Sequence, residues 1–297
     1  RKMSDDPILY VNGDYVPQSS AAISPLDQGF LLGDGIFDVV SAWKGVIFKL
    51  DEHLDRFFDS MLAACLDPGW SREQWKDIIR ETTRRNELHD ATIRFIVTRG
   101  VPKEVVADPR NFDATIIVWA APYIFLADEA TRQQGIRLMI SSTRGFPADS
   151  LDPRYKCLDR LHSQLVRLEA LSAGYDDAIW LDHAGMVSES AASNIFAVKN
   201  DIVYTPAGGI LRGVTRQTFI DVARAGGFKC EEVAMTPFDL YTADEVFTTS
   251  TAGGALAVRE IAGRQIRQTA PGPVTLKLNE DYWALRESGA HGTPIYD

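Results

Sequence analysis

The stretch Leu151-Asp152-Pro153-Arg154-Tyr155-Lys156-Cys157-Leu158-Asp159-Arg160-Leu161 sets a single lysine between a proline-containing loop and a run of leucines. Leu158, Leu161, Leu165 and Leu168 recur at helical spacing, which predicts a helix over residues 158–173 with these leucines facing inward. Lys156 stands just upstream of it. On spacing alone it reads as a surface lysine, because lysine is rarely buried without a partner.

Working outward, the 297 residues are 45% hydrophobic and can fill one large core or two medium ones, so two domains are expected. The net charge of -10 argues against nucleic acid as a partner, since affinity for phosphate backbones comes from clustered Lys and Arg. Cys65, Cys157 and Cys230 are too few and too far apart for a disulfide framework or a zinc clip, and read as reduced thiols of a cytoplasmic protein. No apolar run approaches the roughly 20 residues that span a bilayer, and the opening RKMSDDPILY lacks the apolar core of a signal peptide. These features point to small-molecule chemistry, away from membranes.

Along the chain, ILYVNGDYVP reads as two strands around an Asn12-Gly13 turn, and residues 37–50 as two more turning at Lys44-Gly45. Asp51 is expected to cap a helix whose Leu54, Phe57, Phe58, Met61 and Leu62 share one face, and Ser71 with Gln74 to box the start of a helix over 71–84. Strands follow at 92–98 and 115–119, and the loop between them, 100–113, is long enough to be functional. The second half opens with a strand at 136–141, continues through strands at 177–181, 194–198 and 202–204 and a helix near Thr215, and returns to a strand near Glu245. Strands and helices mixed without a regular βαβ beat give an α+β fold. The expected division is an N-terminal α/β domain over 1–122, a linker over 123–134 and a C-terminal domain over 135–297.

Familiar constellations are missing from the sequence. The five histidines show no paired metal spacing, no Walker loop or nucleophile elbow occurs, and Asp38 stands where a dinucleotide fingerprint after Gly33-Asp34-Gly35 needs its third glycine. A metal centre is therefore not expected. Five segments do form an ordered set: SPLDQGFLLGDGIFDVV, LDPRYKCLDRL, GMVSESAASNIFAVKN, GILRGVTRQTFIDVA and DEVFTTSTAGG. In order and separation they resemble the fold-type IV pyridoxal-phosphate transaminases, the group with branched-chain, D-amino-acid and (R)-amine members. The likeness runs from about Tyr10 to the terminal DYWALRESGAHGTPIYD, which is similar to the (R)-amine group.

That resemblance implies two α/β domains with the cofactor site at their interface, and Lys156 carrying pyridoxal 5'-phosphate as a Schiff base. Such a lysine must lose its proton, which burial and nearby positive charge favour. Glu189 resembles the carboxylate that keeps the pyridine nitrogen protonated. Gly213, Val214 and Thr215 would offer helix-start amides and a hydroxyl to the phosphate, Ser250 and Thr251 the same chemistry again, and Arg56 a guanidinium. Arg99 matches an arginine on the substrate carboxylate, and an arginine grips a carboxylate with two parallel bonds. Phe37 and Val39 should face the substrate, with Asp38 turned away; Leu32 and Ala252 complete the expected substrate contacts.

The chain departs from its relatives at Phe37, where Tyr is usual, at Leu32 and Val101, where subgroup histidines are expected, and at Arg160, where the (R)-amine group has an aromatic. The implied activity moves an amino group between a D-amino acid or (R)-amine and a keto acid such as pyruvate or 2-oxoglutarate. Branched-chain L-amino acids are the alternative donors, an aminodeoxychorismate lyase the alternative enzyme, and a non-catalytic partner module the alternative from outside enzymology. A homodimer is implied, with residues 31–35 reaching the neighbouring site.

Overall fold

The computed structural model describes residues 6–104 and 108–296, which group into two compact units. The first takes the chain up to Ile124, then Tyr155–Arg160, then the stretch from Gly289; the second takes Phe125–Arg154 and Leu161–Ser288. This differs from a division at 122 and 134. Tyr155–Arg160 joins the N-terminal elements because Phe37 N donates to Lys156 O and Leu158 N donates to Gly35 O, each at 2.9 Å, with Ile36 bridging Cys157. Within the expected linker, Glu129–Gln134 forms a helix capped by Asp128. Part of the loop expected at 100–113 lies outside the described residues, as do the first five residues of the opening segment.

The first unit contains β1 (Ile8–Val11), β2 (Asp14–Pro17), α1 (Gln28–Leu32), β3 (Gly35–Trp43), β4 (Val46–Phe48), α2 (Leu50–Ala63), α3 (Arg72–Arg85), β5 (Ala91–Pro102) and β6 (Phe112–Pro122). The C-terminal strand Gly292–Pro294 completes a seven-stranded antiparallel sheet, in which it is followed by β4-β3-β5-β6-β1-β2. Asn12 and Gly13 both take positive φ, the backbone that a two-residue hairpin requires, so the first turn forms as the Asn-Gly pair predicts.

Strand alternation then sorts the faces of this sheet. Ile36, Val40, Ile93, Phe95, Val97 and Val118 are buried on one side against Leu54 and Phe57 of α2 and Trp75 and Ile79 of α3. Phe57 touches both Trp75 and Phe95 edge-on at 4.9 Å between centroids, so Phe57→Ala would cost about 3–5 kcal/mol. Phe37, Val39, Arg94, Ile96, Ile117 and Trp119 alternate to the other side and are half-buried. Ser71 and Gln74 form the expected capping box of α3. Asp51 does not cap α2: the helix starts at Leu50 after Lys49 in the left-handed region, which places Asp51 inside the first turn.

The second unit runs through α4 (Glu129–Gln134), β7 (Ile136–Arg144), α5 (Leu161–Ser172), β8 (Asp177–Leu181), β9 (Val187–Ser190), β10 (Asn194–Lys199), β11 (Ile202–Pro206) and α6 (Val214–Ala225). β12 (Lys229–Val233), α7 (Pro237–Tyr241), β13 (Glu245–Ser250), β14 (Gly254–Ile261), β15 (Arg264–Gln265) and α8 (Pro273–Glu287) follow. Its mixed sheet is ordered β12-β11-β10-β13-β14-β7-β8-β9, with β15 on β14. Phe196 and Phe247 stack with centroids 5.0 Å apart beneath Phe219 of α6, which itself stacks on Tyr282 of α8. This aromatic block fixes α6 over β10 and β13.

The leucine stripe of α5 faces outward, contrary to the periodicity. Leu161, Leu165 and Leu168 are 69%, 50% and 58% exposed, while Ser163, Val166 and Ala170 are buried. Smaller side chains make the close approach to β7 and β8, where Val166 and Ala170 meet Ala178 and Trp180. Leu158, the first leucine of the stripe, lies outside the helix and against Gly35.

Candidate active site

In the first unit the chain around Lys156 is added alongside the start of β3, and Tyr155 Oη donates to Ala63 O at the end of α2. Lys156 is thereby half-buried, and its Nζ lies 4.9 Å from the centre of the Phe37 ring. The same ring has the Arg94 guanidinium 5.2 Å away, and Arg94 also lies over Trp119 at 5.5 Å. Val39 is the cross-strand partner of Arg94 on this face.

Behind Phe37, Asp38 is completely buried and binds Arg56 through both carboxylate oxygens, at 2.9 Å to Nε and 2.7 Å to Nη2, while His53 Nδ1 lies 2.9 Å from Oδ1. Burial works against the charged carboxylate, yet Arg56 and His53 hold Asp38 far below the usual carboxylate range. Burial pushes the His53 imidazole below its ordinary value, and the nearby Arg56 and Lys156 charges act in the same direction. Arg56 is thus held by an acidic partner.

Arg99 is committed elsewhere. Its Nε and Nη2 bind Asp34 at 2.6 and 3.1 Å, Nη2 also donates to Ala64 O, and Nη1 donates to Cys65 O and Pro109 O. These bonds use all five N–H groups of a guanidinium. In this conformation Arg99, expected on the substrate carboxylate, ties the chain after α1, the end of α2 and the loop after β5 together. Leu32 is the last residue of α1 and is 70% exposed. Arg160 is half-buried next to the chain segment that carries Lys156. Burial raises the Cys157 thiol above its ordinary value, which keeps it protonated and unreactive beside Lys156.

In the second unit Glu189 is buried on β9, and its Oε2 accepts from Asn194 Nδ2 at 2.9 Å and from Leu211 N at 3.1 Å. Gly213 is the N-cap of α6, followed by Val214 and a buried Thr215. Ser250 ends β13, and Thr251, Ala252 and Gly253 make the turn into β14. This segment therefore opens no helix, correcting the view of it as a second helix start; Gly253 and Gly254 take positive φ there, and Gly254 admits Tyr282 and Asn279 of α8 too closely for a side chain. Among the described residues no group of three or more His, Cys, Asp or Glu gathers as a metal site, and no helix is long and apolar enough to cross a membrane.

Sequence reasoning missed Arg94, Asp38, His53 and Asn194. Strand alternation could have found Arg94, which shares the parity of the residues facing Phe37 and Val39 in the β3–β5 pairing; the contacts of Asp38 and Asn194 depend on tertiary packing.

With this geometry in view, residues 35–261 match the family model for amino-transferase class IV. A putative branched-chain-amino-acid aminotransferase of Methanocaldococcus jannaschii is 41% identical over 97% of this chain and 99% of its own length. A D-alanine aminotransferase of Bacillus licheniformis is 30% identical over 89% of this chain and 92% of its own. The T.th. branched-chain amino acid aminotransferase complexed with N-(5'-phosphopyridoxyl)-L-glutamate is 32% identical, with a TM-score of 0.91 over 98% of this chain and 99% of that one. The chain belongs to the class IV aminotransferases, enzymes that depend on pyridoxal phosphate.

The residues present fit that cofactor. A Cβ on Gly213 would stand 2.1 Å from Asn194 Oδ1, so the chain keeps a bare glycine where α6 begins, and the first-turn amides of a twelve-residue helix suit a phosphate. Glu189, buried among amide donors, suits a protonated ring nitrogen.

Proposed function

We propose that this enzyme exchanges amino groups between branched-chain aliphatic L-amino acids and a dicarboxylic keto acid of the 2-oxoglutarate type, with Lys156 as the catalytic amine. The observation that carries the reading is the Phe37 ring, approached by both the Lys156 amine and the Arg94 guanidinium. Among the described residues no carboxylate pairs with Arg94, its Nε is buried without a hydrogen-bond partner, and burial lowers its pKa from the ordinary value. A half-buried cation without a counter-ion is costly, and a substrate carboxylate supplies the missing charge. The apolar surroundings of Phe37, Val39 and Ile96 suit an aliphatic side chain in the other half of the exchange.

Pyridoxal phosphate, when bound, supplies an electrophilic aldehyde and a ring that accepts electrons. In this reading Lys156 would hold the cofactor, and its amine, once displaced by the substrate's amino group, would move the proton at the substrate Cα. Glu189 would favour a protonated ring nitrogen. In the second unit the amides of Val214 and Thr215 and the hydroxyls of Ser250 and Thr251 would hold the phosphate, and in the first unit Asp38 orients the Arg56 guanidinium, which suits an anion. Phe37 and Val39 would line the substrate side in the first unit, Ala252 would contribute from the second, and Arg94 would take the carboxylate in place of Arg99, whose N–H groups are already used.

A D-amino acid or (R)-amine donor is the second reading, favoured by the D-alanine aminotransferase relative and the motif resemblance. A screen of L-leucine, D-alanine and (R)-1-phenylethylamine, each with 2-oxoglutarate and with pyruvate, separates the two. Turnover of L-leucine with 2-oxoglutarate supports the first reading; turnover of only D-alanine or the amine sinks it. Product release over many turnovers from an amino substrate without any keto acid would indicate the lyase, since a transaminase stops after one equivalent.

We also infer a homodimer. Leu161, Leu165, Leu168 and Leu171 form an exposed stripe on α5, and Phe30, Leu31 and Leu32 a second apolar cluster on α1. Apolar surface gathered in this way marks an interface.

A further inference from the structure

Glu189 and the start of α6 are linked by one side chain. Asn194, buried at the first position of β10, donates from Nδ2 to Glu189 Oε2 and to Leu211 O, each at 2.9 Å, and Leu211 N returns a bond of 3.1 Å to the same Oε2. The two bonds use both N–H groups of the amide. Its other end touches the N-cap: Asn194 Oδ1 lies where a Cβ on Gly213 would come within 2.1 Å. A carboxylate on β9, a strand end on β10 and the turn leading into α6 thus share one amide.

We propose that Asn194 is a positioning residue that fixes the Glu189 carboxylate relative to the α6 N-terminus, so that the contacts to the ring nitrogen and to the phosphate are set at one fixed separation. Asparagine suits this task. It donates twice toward oxygen acceptors, whereas aspartate would set a second carboxylate against Glu189 and against the Leu211 carbonyl. Gly213 suits the same task, since any side chain there displaces the amide. The inference rests on the assignment of Glu189 and α6 to the cofactor, so Glu189→Gln is measured alongside.

The test uses full-length holoprotein and reads the pH dependence of the bound cofactor's visible absorbance, its retention on ultrafiltration, and the melting temperature. Asn194→Ala is expected to shift the absorbance titration in the same direction as Glu189→Gln and to loosen the cofactor about tenfold or more, as loss of a buried hydrogen-bond partner implies. Gly213→Ala, which drives a methyl against Asn194, is expected to reproduce the shift should Asn194→Ala not fold. Ile261→Ala, a core change in the same unit, is expected to lower the melting temperature while leaving the titration in place. If the Asn194 and Gly213 variants only melt earlier, with titration and retention unchanged while Glu189→Gln alters both, the positioning role is overturned. If Glu189→Gln alters neither, the assignment of Glu189 fails and the inference falls with it.

Discussion

The Arg94 guanidinium carbon lies 5.2 Å from the centre of the Phe37 ring, and among the described residues no acidic side chain balances it. A charge-assisted bond to a substrate carboxylate contributes about 1.5–3 kcal/mol, so Arg94→Gln should raise KM for 2-oxoglutarate roughly 10- to 100-fold. The change for pyruvate separates the two ends of the substrate. A small change there places Arg94 on the distal carboxylate, and an equal loss places it on the carboxylate next to the keto carbon. Unaltered kinetics with both would remove Arg94 from the site.

Arg99→Ala should behave differently, because its guanidinium is saturated by Asp34 and three carbonyls. Loss of this clamp is expected to destabilise the fold on the order of 2 kcal/mol, seen as a lower melting temperature. The KM ratio between 2-oxoglutarate and pyruvate should stay constant. A changed ratio at full stability would restore Arg99 to the substrate.

Stability should fall on acidification in two stages, both set by the pair behind Phe37. His53 is held below its ordinary value of 6.5, so the unfolded chain binds a proton that the folded chain refuses, and stability is lost as pH drops below that value. Asp38 is held below its ordinary value of 3.8, so its contribution is present above that value and lost as pH falls further. Melting temperature against pH measures both stages, and His53→Gln should remove the first. A melting temperature that rises from pH 7 to pH 5 would contradict this account.

How much of this was legible in the sequence depended on whether the signal was local. The Asn12-Gly13 hairpin and the Ser71-Gln74 capping box each form as read, because a few neighbouring residues determine them. The α5 leucines were legible as a stripe but not in direction, since periodicity identifies an apolar face without saying what covers it. Arg99 matched a motif, yet its partners, Asp34 and the carbonyls of Ala64, Cys65 and Pro109, come together only in three dimensions. The pairing of Asp38 with Arg56 was hidden for the same reason: eighteen residues separate them, and only the packing of α2 on β3 joins them.

The exposed α5 stripe gives a prediction on assembly. Leu165→Glu with Leu168→Glu puts two charges on a surface that is 50% and 58% exposed in the single chain, so folding should survive. Light scattering should report a dimer for the parent and a monomer for the variant. An unchanged mass would place the interface elsewhere.

The amine of Lys156, facing the Phe37 ring at 4.9 Å, is the group on which the proposed chemistry turns, because it is the one assigned to hold pyridoxal phosphate. Borohydride reduction of the holoprotein, followed by proteolysis and peptide mass spectrometry, tests this most directly. The predicted result is a phosphopyridoxyl group on Lys156, lost in Lys156→Ala. Modification of a different lysine, or none in a protein that retains its activity, would contradict it.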